Sequence, residues 1–67
     1  MKPVAKKLCD IVREKNLSTL ELQHMTGIER SQFYKWMSGR TLPSLENAVK
    51  VCRALGITLE ELVEGME

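Results

Sequence analysis

Hydrophobic residues recur along this chain every three to four positions, which is the spacing of amphipathic helices. In the first stretch the apolar positions are Val4, Leu8, Ile11 and Val12. Pro3 suits the first turn of a helix, where the N–H that proline lacks would have no partner. Asn16 suits a left-handed stop after Lys15. The pattern therefore predicts a first helix from Pro3 to Lys15.

Two short helices are predicted next, separated by a glycine. Ser18 and Glu21 have the spacing of a capping box, in which the serine caps a new helix and the glutamate reaches back. We expect this second helix to cover residues 19–26 and to end at Gly27. A third helix begins at or near Glu29 and stops at Gly39.

The third helix separates apolar and polar residues onto opposite arcs. Phe33, Trp36 and Met37 share one arc. The opposite arc carries Arg30, Ser31, Tyr34, Lys35 and Ser38. Two short helices joined at a glycine, the second with outward donors, describe a helix-turn-helix that can enter a DNA major groove. A surface helix with a solvated polar face fits the same pattern.

Two further helices complete the predicted fold. Ser44 caps a fourth helix that ends at Gly56, and Thr58 with Glu61 forms a second capping box for a fifth. The apolar face of the fourth helix holds Leu45, Ala48, Val49, Cys52 and Leu55, and that of the fifth holds Leu59, Leu62, Val63 and Met66. Neither sustained alternation nor an Asn-Gly turn indicates a strand. The predicted fold class is all-α, a compact five-helix domain.

Composition narrows the class of protein. A chain of 67 residues predicts a single domain covering 1–67, close to the lower size at which a core suffices alone. A hydrophobic content of 43% and a charged content of 28% are ordinary for a soluble globular protein. No apolar run approaches about 18 residues, and no signal-peptide pattern is present. We expect a cytoplasmic protein with no membrane association.

Candidate chemistry is sparse. Cys9 and Cys52 lie within helical periodicities and are expected to act as small hydrophobic residues, while His24 has no Cys/His partner at metal-binding spacing. Glu60 and Glu61 fit capping positions, and no glycine run could cradle a phosphate. The sequence therefore predicts no metal, no cofactor, no small-molecule substrate and no enzymatic activity.

Charge is unevenly distributed, although the net charge is only +1. Residues 1–40 carry eight Lys/Arg against four acids, a net of +4. Residues 41–67 carry two basic residues against five acids, a net of −3. The basic part holds the third helix, which favours an anionic partner on that side.

Taken together, these motifs resemble the Cro/repressor-type helix-turn-helix family of phage and bacterial regulators (lambda-repressor-like, XRE-type). The likeness covers about residues 5–65, with the motif itself at about 18–38. The motif begins at Thr19, and its glycine is Gly27. Its apolar places hold Leu22, Ile28, Phe33 and Trp36. Residues 39–46 and 54–62 resemble the family's loop and closing signature.

Four positions depart from the family pattern. Thr26 fills the remaining apolar place. Gln23 stands where the family favours alanine, and we expect its larger side chain to bend away from the neighbouring helix. Thr19 stands where a glutamine often braces the recognition helix and touches a phosphate; the shorter threonine is expected to reach only the phosphate. Glu29 replaces a serine or threonine cap, and its charge suits a helix N-terminus but repels phosphate.

A fifth difference concerns the core. Many members of the resembled family pair an arginine in the first helix with a glutamate near the end of the recognition helix. Val12 and Met37 occupy those two places here. Because both charges are absent together, we expect the two side chains to touch through apolar packing. The alternative is that Val12 packs on the fifth helix and Met37 lies at the rim.

The resemblance implies a sequence-specific double-stranded DNA-binding transcriptional regulator of phage or mobile-element type, encoded by a bacterium or a phage. Helix 3 would read the major groove. Arg30 is expected to specify a G·C pair, because arginine can bond both O6 and N7 of guanine. The expected base contacts are Arg30, Ser31, Tyr34 and Lys35. The expected phosphate contacts, which position the domain without reading sequence, are Thr19, Gln32, Ser38, Arg40 and Thr41.

The sequence also predicts a mode of assembly and leaves an alternative function open. Val63 and Met66 are expected to belong to a weak two-fold homodimer contact, which would require a near-palindromic operator. The alternative is that the same fold serves as a protein–protein interaction module, antirepressor or partner-binding, without specific DNA binding. Glu29, the low net charge and the exposed-looking Leu20 and Met25 favour it.

Overall fold

Five helices and no strand make up residues 3–63, which are the part of the chain that the computed structural model describes. They are α1 (Pro3–Glu14), α2 (Thr19–Thr26), α3 (Arg30–Met37), α4 (Leu45–Leu55) and α5 (Leu59–Leu62). The all-α class is confirmed. Within residues 3–63, none of the helices is long and apolar enough to cross a membrane.

The predicted capping boxes are both formed. The Ser18 hydroxyl accepts a hydrogen bond from the Glu21 N–H at 3.1 Å, and the Glu21 carboxylate accepts one from the Ser18 N–H at 3.0 Å. Thr58 and Glu61 repeat the arrangement at the start of α5. Ser44 caps α4 by accepting from the backbone of the third helical residue. Each cap satisfies N–H groups that a helix start would otherwise leave unpaired.

The turn between α2 and α3 requires a left-handed backbone. Gly27 has φ of 76°, and its N–H donates to the Gln23 carbonyl at 2.8 Å, which closes α2. Asn16 ends α1 with φ of 55°, as its residue type predicted. Since glycine adopts this conformation without steric cost, the chain reverses at Gly27 within three residues.

Phe33 and Trp36 of α3 form the centre of the larger core cluster. Their rings meet edge to face, with centroids 5.0 Å apart and planes at 71°. The other buried members are Leu8, Ile11, Val12, Leu22, Ile28, Val51 and Leu55. In the resulting arrangement α1 packs against α3 and α5, α2 packs against α3 and α4, and α4 packs against α5. All of the first four helices therefore contribute to the cluster that holds α3.

A second, smaller cluster joins α1, α4 and α5. It consists of Val4, Ala48, Cys52 and Leu62. Burial raises the pKa of the Cys52 thiol, and the nearby charge of Glu61 raises it further. The thiol therefore stays protonated at neutral pH, and Cys52 acts as a small hydrophobic residue, as predicted.

The predicted apolar face of α4 is partly wrong. Ala48, Cys52 and Leu55 are buried, but Leu45 is 70% exposed, and Val51, which was not predicted, is almost completely buried. The core meets α4 from its second turn onward, so the face runs through positions 48, 51, 52 and 55. The first turn projects beside the preceding loop, which leaves Leu45 in solvent.

The predicted apolar stripe of α5 is only partly buried. Leu62 is in the core, whereas Leu59 and Val63 are each 37% exposed. With four residues, α5 presents a single side to α1 and α4. Met66, the last member of the predicted stripe, lies outside the described residues.

Val12 and Met37 belong to the same region of the core. Val12 is buried in the larger cluster, and Met37 is half-buried and packs against it. A further link between the same two helices is polar: the Cys9 thiol donates to the Met37 carbonyl, with a sulfur–oxygen distance of 3.5 Å. A direct contact between the Val12 and Met37 side chains stays a prediction.

Two leucines of α2 offer a matched test of this core. Leu22 is 0% exposed and Leu20 is 46% exposed. We expect Leu22→Ala to lower the free energy of unfolding by about 2–5 kcal/mol, because it leaves a cavity in the larger cluster. Leu20→Ala, the control on the same helix, should change it by only about 0.5 kcal/mol. Urea denaturation measures both; equal losses would contradict this description of the core.

Candidate nucleic-acid interface

The helix α3 combines a buried side with an exposed side. Phe33 and Trp36 are almost completely buried. The four predicted base-contacting residues, Arg30, Ser31, Tyr34 and Lys35, are all exposed. Since an isolated helix of eight residues is marginal in water, the buried aromatic pair is what holds the polar side in place.

A shallow concavity on the exposed side brings five predicted contact residues together. It is lined by Ser31, Tyr34, Lys35, Ser38 and Arg40. Lys35 and Arg40 give it two positive charges, and the other three residues give it hydroxyl groups. This combination of cations and hydroxyl groups suits phosphate oxygens. Among the predicted phosphate contacts, Gln32 is half-buried and does not line the concavity, and Thr41 lies beyond it, exposed in the loop after α3.

The loop after α3 is attached to the carbonyl of Lys35. This carbonyl accepts hydrogen bonds from the backbone N–H groups of Arg40 at 3.0 Å and Thr41 at 3.4 Å. It also accepts one from the Ser38 hydroxyl at 3.1 Å. The loop therefore folds back on the last turn of α3, which holds Arg40 beside Lys35. The hydroxyl hydrogen of Ser38 is engaged within the protein.

Three polar residues of α2 form what we call the polar seam: Thr19, Gln23 and Thr26, spaced along one side of the helix. The Thr19 hydroxyl donates to the Tyr34 phenol oxygen at 3.0 Å. The Gln23 side-chain oxygen accepts from the backbone N–H of Arg30 at 2.9 Å. Both bonds link α2 to α3.

Thr26 belongs to the turn between the helices. Its hydroxyl donates to the Leu22 carbonyl at 2.7 Å and accepts from the Ile28 N–H at 3.1 Å. A threonine in a place that the pattern reserves for an apolar residue is thus satisfied locally, in the way that threonine commonly bonds a preceding turn. It ties the first residue after Gly27 back to α2.

Two expectations about the seam were wrong. Gln23 does not bend away from α3. Its side-chain oxygen reaches α3 and accepts a hydrogen bond from the first N–H of that helix, which has no partner within the helix. Thr19 is long enough to brace α3, because Tyr34 extends from α3 to meet it. Residues 19, 23 and 26 are spaced so that all three lie on one side of α2. This spacing is the sequence signal that could have indicated their contacts with α3 and with the turn before it.

Glu29 precedes α3 without capping it through its side chain. Its carboxylate instead accepts a long hydrogen bond of 3.5 Å from the Ser31 hydroxyl. Capping of the first N–H of α3 is performed by Gln23. The negative charge of Glu29 still lies at the start of α3, where it stabilises the helix dipole and opposes an approaching phosphate.

Metal chemistry finds no support in this region. Across the described part of the chain, no group of three or more His, Cys, Asp or Glu residues could hold a metal ion. Cys9 and Cys52 are both free thiols. The surface around α3 instead offers cations, hydroxyl groups and one exposed aromatic ring.

A family model described as the Cro/C1-type HTH DNA-binding domain matches residues 5–65. The chain belongs to this family. The resemblance predicted from the motifs is confirmed. Membership of this family supports a role as a DNA-binding regulator, with double-stranded DNA as its partner. The individual roles of the contact residues stay predictions.

One curated protein shares a segment with this Cro/C1-type domain. It is the replication factor C small subunit of Thermococcus kodakarensis, which is 37% identical over 46 residues. The match covers 69% of this chain and 5% of that protein, so the similarity concerns a small segment of a much longer chain. No solved structure matches the chain.

Proposed function

We propose that this Cro/C1-type domain is a sequence-specific transcriptional regulator of phage or mobile-element type that places α3 in the major groove of double-stranded DNA. The observation that supports the proposal is the two-sided character of α3. Phe33 and Trp36 anchor it in the core, while Arg30 and Lys35 are exposed on its other side, and Lys35 lies beside Arg40. A rigid helix that displays donors is what recognition of base edges requires.

The proposed roles follow the chemistry of each side chain. Arg30 has the planar donor fork that guanine O6 and N7 accept, and its backbone is fixed by Gln23. Ser31 and Lys35 contact base edges beside it. The predicted phosphate contacts are Thr19, Gln32, Ser38, Arg40 and Thr41. Arg40 and Lys35 supply the positive charge that draws the domain to the phosphate backbone.

A second candidate function is a protein-interaction module that keeps the fold without specific DNA binding, as an antirepressor or partner-binding domain. Two large apolar side chains on α2, Leu20 and Met25, favour it, because each is 46% exposed. Glu29 at the start of α3 also opposes phosphate.

Binding to a random duplex at low salt separates the two candidate functions. A DNA-binding domain should bind non-specifically, with Kd of about 10⁻⁴ to 10⁻⁶ M at physiological salt and more tightly at low salt, and it should lose affinity steeply as salt rises. Fluorescence anisotropy with a labelled duplex measures this. As a control, Lys50→Ala removes a cation of α4 that pairs with Glu46 at 3.6 Å, and it should leave binding unchanged. No binding at about 50 mM salt, where a DNA-binding domain should bind more tightly than at physiological salt, would favour the interaction module.

We further propose a weak homodimer in which Val63 takes part. An apolar groove lies between the loop at Leu42 and Pro43 and the α5 residues Leu59 and Val63. The exposed apolar side chains around this groove support a contact with a second copy. Met66, the other residue assigned to the contact, lies outside the described residues. A two-fold dimer would place two recognition helices roughly 34 Å apart on a near-palindromic operator.

Sedimentation on a selected duplex tests the homodimer. Two copies should bind each site, and Val63→Glu should weaken cooperative binding at least about 10-fold, because a charge at the contact would lose its water. Leu20→Glu, which places the same charge on α2, is the matched control and should leave the stoichiometry unchanged. One protein per site, with a monomer in free solution, would contradict the dimer.

Two arginines distinguish base recognition from phosphate binding. Arg30→Ala should weaken binding to the selected site by about 1–3 kcal/mol and relax the preference at one base pair. Arg40→Ala should weaken binding about equally on all sequences and lower the slope of the salt dependence by about one. Selection from a random duplex pool, repeated for each variant, measures both. An unchanged consensus for Arg30→Ala would remove Arg30 from the base-contacting residues.

A further inference from the structure

We propose that Thr19 and Tyr34 act as one unit, which orients α3 against α2 and offers a single hydrogen-bond donor to a DNA phosphate. In this assignment Tyr34 is a positioning residue and does not read a base. The inference rests on the proposed function, and it revises the roles that were expected of the two residues separately.

The geometry of the polar seam fixes how α3 lies against α2. Thr19 and Gln23 are one helical turn apart on α2, and their partners Arg30 and Tyr34 are one turn apart on α3. The pairs run in opposite order, so the two bonds form a short antiparallel ladder between the helices. One hydrogen bond would let α3 pivot about it. Two bonds a turn apart also fix its rotation, and therefore the direction in which Arg30 points.

The number of hydroxyl hydrogens limits what the Thr19–Tyr34 pair can donate. Threonine and tyrosine each carry one hydroxyl hydrogen. The hydrogen bond between the two hydroxyls, with an oxygen–oxygen distance of 3.0 Å, uses one of these hydrogens, whichever hydroxyl donates it. One hydrogen is left to point outward. The pair therefore makes one outward contact as a donor instead of two independent ones.

The position of the Tyr34 hydroxyl favours a phosphate as its acceptor. The bond to Thr19 holds the Tyr34 hydroxyl at the first residue of α2. In a helix-turn-helix the first helix crosses the DNA backbone, while the second enters the groove. A hydroxyl held against α2 thus faces the DNA backbone. The exposed residues that remain for base edges are Arg30, Ser31 and Lys35.

A double-mutant cycle on DNA binding tests the unit. Thr19→Val and Tyr34→Phe each remove one hydroxyl and keep the shape of the side chain. Each should weaken binding roughly 10-fold on every sequence, and the double variant should be no weaker than either single one, because all three lose the same contact. The consensus selected from a random duplex pool should be unchanged in all three variants.

A control cycle combines Thr19→Val with Arg40→Ala. These residues share no hydrogen bond, so their losses should multiply. Multiplied losses for Thr19→Val and Tyr34→Phe would overturn the inference, because the two hydroxyls would then act independently. A changed consensus for Tyr34→Phe would overturn it as well, because Tyr34 would then contact a base.

The same cycle on the free protein separates this inference from the proposed function. In urea denaturation without DNA, each hydroxyl removal should lower the folding equilibrium constant about two- to five-fold, and the double variant no further. Uncoupled losses with intact DNA binding would overturn the inference alone. Coupled losses in a protein that binds no DNA would overturn the proposed function, and the donor assignment with it.

Discussion

The structure depends on the burial of two aromatic rings that project from one short helix. Phe33 and Trp36 meet edge to face in the larger cluster, and residues from α1, α2 and α4 surround them. Eight residues cannot hold a helix in water by backbone bonds alone. The position of the polar side of α3 therefore depends on the burial of its other side in the core. A substitution that loosened either ring would disturb the exposed surface without touching it.

Apolar packing and polar bonds contribute different constraints to the same helix. The aromatic pair fixes how far α3 lies from the core, but packed apolar surfaces permit some rotation about the helix axis. The polar seam resists that rotation through directional bonds at Thr19 and Gln23. Three of the four departures from the family pattern, Thr19, Gln23 and Thr26, are the seam itself. They form a set of contacts that ties α3 and the turn before it to α2 without the residues that the family favours.

Local rules were sufficient for the helices and their ends, because caps and turns involve neighbours in sequence: Ser18 with Glu21, and Gly27 with its left-handed backbone. Tertiary placement was harder. On α4 the spacing that includes Leu45 and the spacing that includes Val51 share most of their members, and only the packing of α2 and α5 against α4 decides between them. The partners of the polar seam were hard to predict for the same reason. Gln23 bonds to Arg30 across the turn, and the angle between α2 and α3 cannot be read from the sequence. The exposed face of α3 was predictable because its periodicity is set within the helix.

The smaller cluster has a consequence for local opening. Val4 near the start of α1 and Leu62 at the end of α5 are buried together with Ala48 and Cys52. Short terminal helices usually fray independently, and their amide hydrogens then exchange with solvent faster than those of the core. Here the opening of α5 would uncover Val4 as well. The amides of α5 and of the first turn of α1 should therefore exchange through one shared opening event, while the rest of α1 stays closed with the larger cluster.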